Sequence, residues 1–231
     1  MTGCSPISDG CKHCYAIKMA RRLKAMGNRR YRNGFAVTLH QDLLDAPLSW
    51  KKPRMVFVNS MGDMFHEDVP IEYIQQVFAT MEKSSHHIFQ VLTKRSSRMA
   101  ELAAQLPWPK NVWMGVTIES EKYLYRAENL KKTPATIKFI SVEPMIGPVS
   151  DINLEGIDWV IVGGESGAQA RTIEKEWAIA VRDKCTASSI PFFFKQWGGP
   201  NKKKSGKILD GKIWNQFPPN STKNLSIVAG I

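Results

Sequence analysis

Short apolar, β-branched runs recur along this chain, each followed by a polar cluster and most then by a stretch of helical period. The runs occupy residues 35–40, 55–59, 87–93, 111–118, 137–142, 158–162 and 191–195. Runs this short with Val, Ile and Phe predict strands, and their apolar character on both faces predicts burial on both sides. Helical periodicity fills the gaps. Residues 71–83 place Ile74, Val77, Phe78 and Met81 on one face, and 97–106, 121–130 and 173–188 read the same way. A further helix is predicted over 15–26, with Ala16, Met19, Ala20 and Leu23 opposite Lys18, Arg21 and Arg22, ending at Gly27-Asn28. Strand and helix in alternation call for a parallel sheet. Seven strands without a second domain predict a parallel (β/α) barrel of TIM-like kind, closed or nearly closed, over residues 1–218. Gly198 to Gly206 reads as a surface loop, 208–217 as a hairpin about Asp210-Gly211, and 219–231 as a flexible tail.

In parallel α/β folds the working groups lie at the carboxyl ends of the strands. Those ends carry His40, Gln41 and Asp42; Asn59, Ser60 and Asp63; Thr93, Lys94 and Arg95; Thr117 and Glu119; Ser141 and Glu143; Gly163, Gly164 and Glu165; and Lys195, Gln196 and Trp197. Glu143 and Glu165 are acids at strand tips, and Lys94 and Lys195 are bases there. Lys94, Glu143 and Lys195 are therefore the candidate catalytic groups. The pair Gly163-Gly164 lets backbone amides approach a ligand, with Glu165 to hold an amine or hydroxyl.

Three of the four cysteines fall within the first fourteen residues, as Cys4, Cys11 and Cys14. Cys11-Lys12-His13-Cys14 puts two thiolates on one turn, and Ser5-Pro6 and Asp9-Gly10 let Cys4 fold back as a third ligand. A closed structural zinc site wants four ligands. A cubane iron–sulfur cluster held by three thiolates keeps one iron open. Zinc on the three cysteines with His13 is one other reading, and unligated thiols, or a disulfide with one thiol left over, are another. Cys185, alone in a helical stretch, reads as a small core residue.

Charge sharpens the partner. The formal net charge is +11, and residues 1–34 carry eight Lys/Arg against Asp9 alone. Residues 201–231 carry six Lys against Asp210, while the middle of the chain is nearly neutral. A basic face beside a reactive site points to a polyanion, nucleic acid first. Apolar runs such as Trp159-Val160-Ile161-Val162 are too short to cross a bilayer, and a reducing cytoplasm is the expected home.

Several segments carry a family resemblance. They are Gly3-Cys4 with Asp9-Gly10-Cys11-Lys12-His13-Cys14-Tyr15-Ala16, residues 56–67, Phe89-Gln90-Val91-Leu92-Thr93-Lys94-Arg95, residues 159–167, residues 192–199 and Leu209-Asp210-Gly211. Together they resemble the phage-associated three-cysteine-motif proteins, a DUF5131-like family of unknown function. More distantly the arrangement is similar to the radical S-adenosylmethionine superfamily, spore photoproduct lyase above all. That resemblance implies a partial parallel barrel and a [4Fe-4S] cluster on Cys4, Cys11 and Cys14 whose open iron chelates S-adenosylmethionine. It implies reductive cleavage to a 5′-deoxyadenosyl radical and an electron donor as partner, while the phage association of the family and the basic flanks point to a nucleic acid or nucleotide as substrate. It places His13 beside the adenine, Asn59, Ser60 and Asp63 at the methionyl amine, and Thr93, Lys94 and Glu119 at ribose and carboxylate. Relatives also carry a strand ahead of Thr2-Gly3-Cys4; without it, an unpaired sheet edge is expected beside the cysteine loop.

Two other functions fit the same residues. One is a divalent-metal hydrolase or nuclease using His40, Asp63, His66, Glu143 and Glu165. The other is a zinc-stabilised, non-catalytic nucleic-acid binder.

Overall fold

The computed structural model describes residues 1–219 and 226–229. In chain order the principal elements are α1 (Tyr15–Ala25), β1 (Arg54–Val58), α2 (Ile71–Lys83), β2 (Ile88–Thr93), α3 (Ser96–Leu102), β3 (Val112–Thr117) and α4 (Tyr125–Lys131). They continue with β4 (Ile137–Val142), β5 (Trp159–Gly163), α5 (Lys175–Ala187), β6 (Phe192–Gln196), α6 (Lys202–Ser205), the hairpin strands β7 (Ile208–Leu209) and β8 (Lys212–Ile213), and β9 (Ser226–Ala229).

The strands pair in the order β6-β5-β4-β3-β2-β1-β9, all parallel. Strands β1 to β6 form a curled half-barrel with helices on one face, an α/β fold whose sheet stays open among the described residues. Alternation along each strand builds two cores. Val56, Phe89, Val91, Met114, Val116, Ile140, Val162, Phe192 and Phe194 pack with the helices in the larger one. The opposite side carries Met55, Trp113, Phe139 and Trp159, flanked by Ile88, Leu92, Ile161, Phe193 and Phe217. Gly115 makes that inner layer possible: a Cβ there would lie 2.4 Å from the Phe139 ring.

Helix α2 begins after Pro70, carries Glu72 in its first turn and Lys83 in its last, and so suits its own dipole. Its buried residues Tyr73, Ile74, Phe78 and Met81 cover β1 and β2. Burying side chains of this size contributes roughly 1.5–3 kcal/mol each.

Two expectations are corrected. Residues 35–40 are no strand of the sheet. They make only an antiparallel bridge from Thr38 to Thr2, and Phe35 O accepts the amide of Cys4 at 3.2 Å. The stretch backs the cysteine loop by supplying the backbone partners that Thr2 and Cys4 need. The seventh strand comes instead from the expected tail: β9 lies parallel to β1, from Arg54 against Ser226 to Phe57 against Ala229. The edge of β1 expected to be bare is thus paired. Residues 220–225, 230 and 231 of that tail lie outside the described residues. Asp210 (φ +53°) and Gly211 (φ +73°) turn the expected hairpin. No described helix is long and apolar enough to cross a membrane.

Candidate active site

The first fourteen residues lie across the carboxyl end of the sheet, and every strand tip from β1 to β3, and β5, holds them. Thr2 exchanges hydrogen bonds with Thr38, and Gly3 N donates to Met61 O at 2.9 Å, beyond β1. Gly3 has φ +94°, and a Cβ on it would sit 2.2 Å from Ala36 O, so only glycine fits between these two strips of backbone.

At β2, Arg95 fixes the start of the loop. Its Nη1 donates to Cys4 Sγ at 3.2 Å and to Asp63 Oδ2 at 3.3 Å, and its Nη2 donates to Ser5 O and Oγ at 3.1 and 2.9 Å. Its Nε donates to both oxygens of Glu67. Asp63 is filled by these and by Thr93 Oγ1 (2.7 Å), Phe65 N (3.0 Å) and Lys94 N (3.2 Å). His66 adds a second grip: its Nδ1 accepts from Asp68 N, so Nε2 carries the proton and donates to Ser5 Oγ at 2.7 Å. Burial pushes the Cys4 thiol up to about 11; Asp63 adds to this and Arg95 opposes it.

At β3, Glu119 is fully buried and takes a hydrogen bond from Ser8 Oγ. Arg126 Nη1 lies 2.8 Å from its other oxygen, and Lys94 Nζ stands 3.5 Å away. Arg126 also stacks over Tyr123, 4.3 Å from the ring centroid. Gly10 presses on Glu119 so closely that a Cβ would fall 2.5 Å from Oε1. Ser8 Oγ lies 3.6 Å from Cys11 Sγ.

At β5, Glu165 receives four hydrogen bonds: His13 Nδ1 (3.1 Å), Arg171 N (2.9 Å), Arg171 Nε (2.9 Å) and Arg171 Nη2 (2.6 Å). Burial alone would raise this carboxyl; the bonds from Arg171 and His13 prevail and bring it down to about 2. Arg171 Nη1 reaches on to Asp9 O at 3.0 Å. Gly164 serves the chain itself, since a Cβ there would lie 2.0 Å from Trp197 O.

Strand β6 carries one residue more than β5 opposite it: Val162 pairs Phe194, but Gly163 pairs Gln196. Lys195 is the extra residue of this bulge, and a bulge re-aims its side chain. Lys195 Nζ donates to Glu143 Oε2 and Gln196 Nε2 to Oε1, both at 2.9 Å. Half of the Lys195 side chain is in solvent, so this pair forms the open part of the mouth.

The structure therefore divides the expected site residues. Asp63, Thr93, Glu119 and Glu165 use their hydrogen-bonding capacity holding the cysteine loop and the strand tips. Glu143 and Lys195 pair at the rim, Lys94 reaches inward to the buried Glu119, and His13 lies against Glu165 beyond β5. Asn59 takes φ +57° after β1, and its Nδ2 is buried without a partner among the described residues. Ser60 offers its carbonyl to Tyr15 Oη at 2.5 Å. His40 bonds Thr2 Oγ1 at 3.0 Å, and among the described residues it joins no group of three side chains placed to hold one ion. The roles of Arg126 and Arg171 are invisible in the sequence: each meets its glutamate only after a turn whose path tertiary packing sets. A cleft of about 660 Å³ between 151–157 and α5 lies at the opposite end of the strands and contains none of these groups.

All four cysteines are free thiols, and Cys4, Cys11 and Cys14 are each partly buried. Among the described residues no three His, Cys, Asp or Glu side chains converge as ligands to a single ion. The thiolates of a cubane each take a different iron, a looser arrangement than the ligand set of one ion. The donor set suits such a group: three soft sulfurs on one loop, with Arg95 already donating to Cys4 Sγ and Ser8 beside Cys11 Sγ.

A family model described as "Protein of unknown function (DUF5131)" matches residues 1–218, and the chain belongs to that family. No curated protein and no solved structure matches the chain.

Proposed function

We propose that this member of the family is an iron–sulfur enzyme of radical S-adenosylmethionine type, acting on a nucleic acid or nucleotide. The observation that carries the reading is the cysteine loop pinned across the carboxyl end of a parallel half-barrel, where successive strand tips offer polar groups. Cys4, Cys11 and Cys14 would hold the cluster. When bound, such a cluster supplies one-electron reduction of a sulfonium cofactor.

The chain's own residues prepare that site. Arg95 orients Cys4 and places positive charge beside its sulfur, which favours the thiolate that burial opposes. His13 is oriented by Glu165, with its proton held on Nδ1 against the carboxylate. Glu143 and Lys195 form an ion pair at the open rim, where the amine or the carboxylate of an incoming ligand can exchange partners with them. The exposed cations of residues 12–32 supply the polyanion preference.

Anaerobic reconstitution with iron and sulfide tests this. Expected are a broad absorbance in the blue, iron and acid-labile sulfide near four of each per chain by the cubane's composition, and loss of the band in C4A, C11A and C14A. Zinc in place of iron, with no sulfide bound, would remove the proposal. Hydrolysis supported by Mg²⁺ or Mn²⁺ and indifferent to the cysteines would assign the carboxylates instead.

A further inference from the structure

Helix α1 leaves the cysteine loop with a stripe that the core does not use. Tyr15, Met19, Arg22 and Met26 follow at helical spacing on one side, and Ala16 and Ala20 are buried on another. Met19, expected on the buried face, is 42% exposed; Tyr15 is 58% and Met26 69% exposed. Tyr15 is held in place as well as exposed, because its hydroxyl donates to Ser60 O beside β1. Around the stripe lie Lys12, Lys18, Arg21, Arg22, Lys24, Arg29, Arg30 and Arg32, all exposed. None of these eight makes an ion pair among the described residues. The one acid of this region, Asp9, is engaged by Lys122 and Tyr123.

We infer that this face binds single-stranded nucleic acid, with phosphates along the cations and an unpaired base stacked on Tyr15 at the rim of the mouth. Charge complementarity selects a polyanion. The fixed, exposed ring selects an unpaired base, since bases within a duplex already stack on one another and leave such a ring without a partner. The two features meet at the residue directly after Cys14, so a strand lying along α1 ends at the cysteine loop. This names the substrate class for the proposed activity and rests on that reading, although binding needs neither iron nor turnover.

Fluorescence anisotropy with a labelled oligothymidylate tests it, on protein as purified and after reconstitution, beside a hairpin duplex, heparin and anionic phospholipid vesicles. The single strand should bind at least about ten-fold tighter than the duplex at equal salt. Y15A should weaken single-strand binding about ten-fold, leave heparin binding unchanged and keep the circular dichroism spectrum; Y15F, which keeps the ring but loses its hold on Ser60 O, should bind between Y15A and the parent. Replacing Arg21 and Arg22 by Ala should lower the salt slope by about 0.7 for each phosphate that is no longer neutralised. Equal affinity for duplex, heparin or vesicles, or a Y15A variant with undiminished single-strand affinity, would overturn the inference. A protein that loads no cluster yet binds the strand through Tyr15 would sink only the enzymatic proposal.

Discussion

Arg95 donates from one nitrogen, Nη1, to both Cys4 Sγ at 3.2 Å and Asp63 Oδ2 at 3.3 Å, and so ties the cysteine loop to the tip of β2. Its side chain is almost wholly buried, so its loss leaves the Asp63 carboxylate without its charge partner. Removing one member of such a pair costs about 3 kcal/mol. R95M should lose about that much in urea denaturation. R95K should recover little, because a single ammonium cannot span Cys4, Ser5, Asp63 and Glu67.

Cys4 titrates near 11 in the folded chain, above its ordinary value of 9.0, so very little is thiolate at neutral pH. In metal-free protein near pH 8, alkylation of Cys4 by iodoacetamide should run about 100-fold slower than in urea, and should accelerate toward pH 11. Peptide mass spectrometry reads the site. Fast labelling of Cys4 in the native state would contradict the burial that raises it.

Gly10 and Glu119 set a steric prediction. Glu119 is fully buried and clamped by Arg126, so it cannot retreat from a Cβ placed 2.5 Å from Oε1. G10A should therefore lift the loop, lowering stability by about 1–3 kcal/mol and exposing Cys11 to alkylation. In the G10A/E119A double variant the steric part should vanish, leaving the cost that E119A alone carries by unpairing Arg126, Lys94 and Ser8. A double-mutant cycle measures the difference.

Glu165 supplies a pH dependence. Its carboxyl is depressed from 4.5 to about 2 in the folded chain, so the unfolded chain binds the proton first as acid is added. Its contribution is complete above about pH 4.5 and is lost progressively as pH falls toward 2. About 1–2 kcal/mol is expected, less than the whole shift implies, because Arg171 is 30% exposed and water screens it. Urea midpoints of the parent should fall through this window, and those of R171A should fall less.

The cysteine spacing, the strand runs and the basic head were legible because each is local. Thr93-Lys94-Arg95 and Gly163-Gly164-Glu165 do lie at strand tips, as their place after apolar runs required. What each tip does was not legible. Asp63, Glu119 and Glu165 read as ligand-binding acids, and each is held by an arginine or its neighbours: Arg95, Arg126 and Arg171. A carboxylate has the same identity in the sequence whether a ligand or a guanidinium faces it.

The alternation of short apolar runs with stretches of helical period by itself determined that this chain makes a parallel sheet with helices, since strands apolar on both faces need cover on both and a helix between them brings the chain back to the same end. It also determined that three thiols share one loop. Only the tertiary structure decided that residues 35–40 brace that loop, that β9 fills the edge beside β1, and that a bulge turns Lys195 toward Glu143. Those choices depend on which distant backbone edge or charge is within reach after collapse, and sequence order carries no distance.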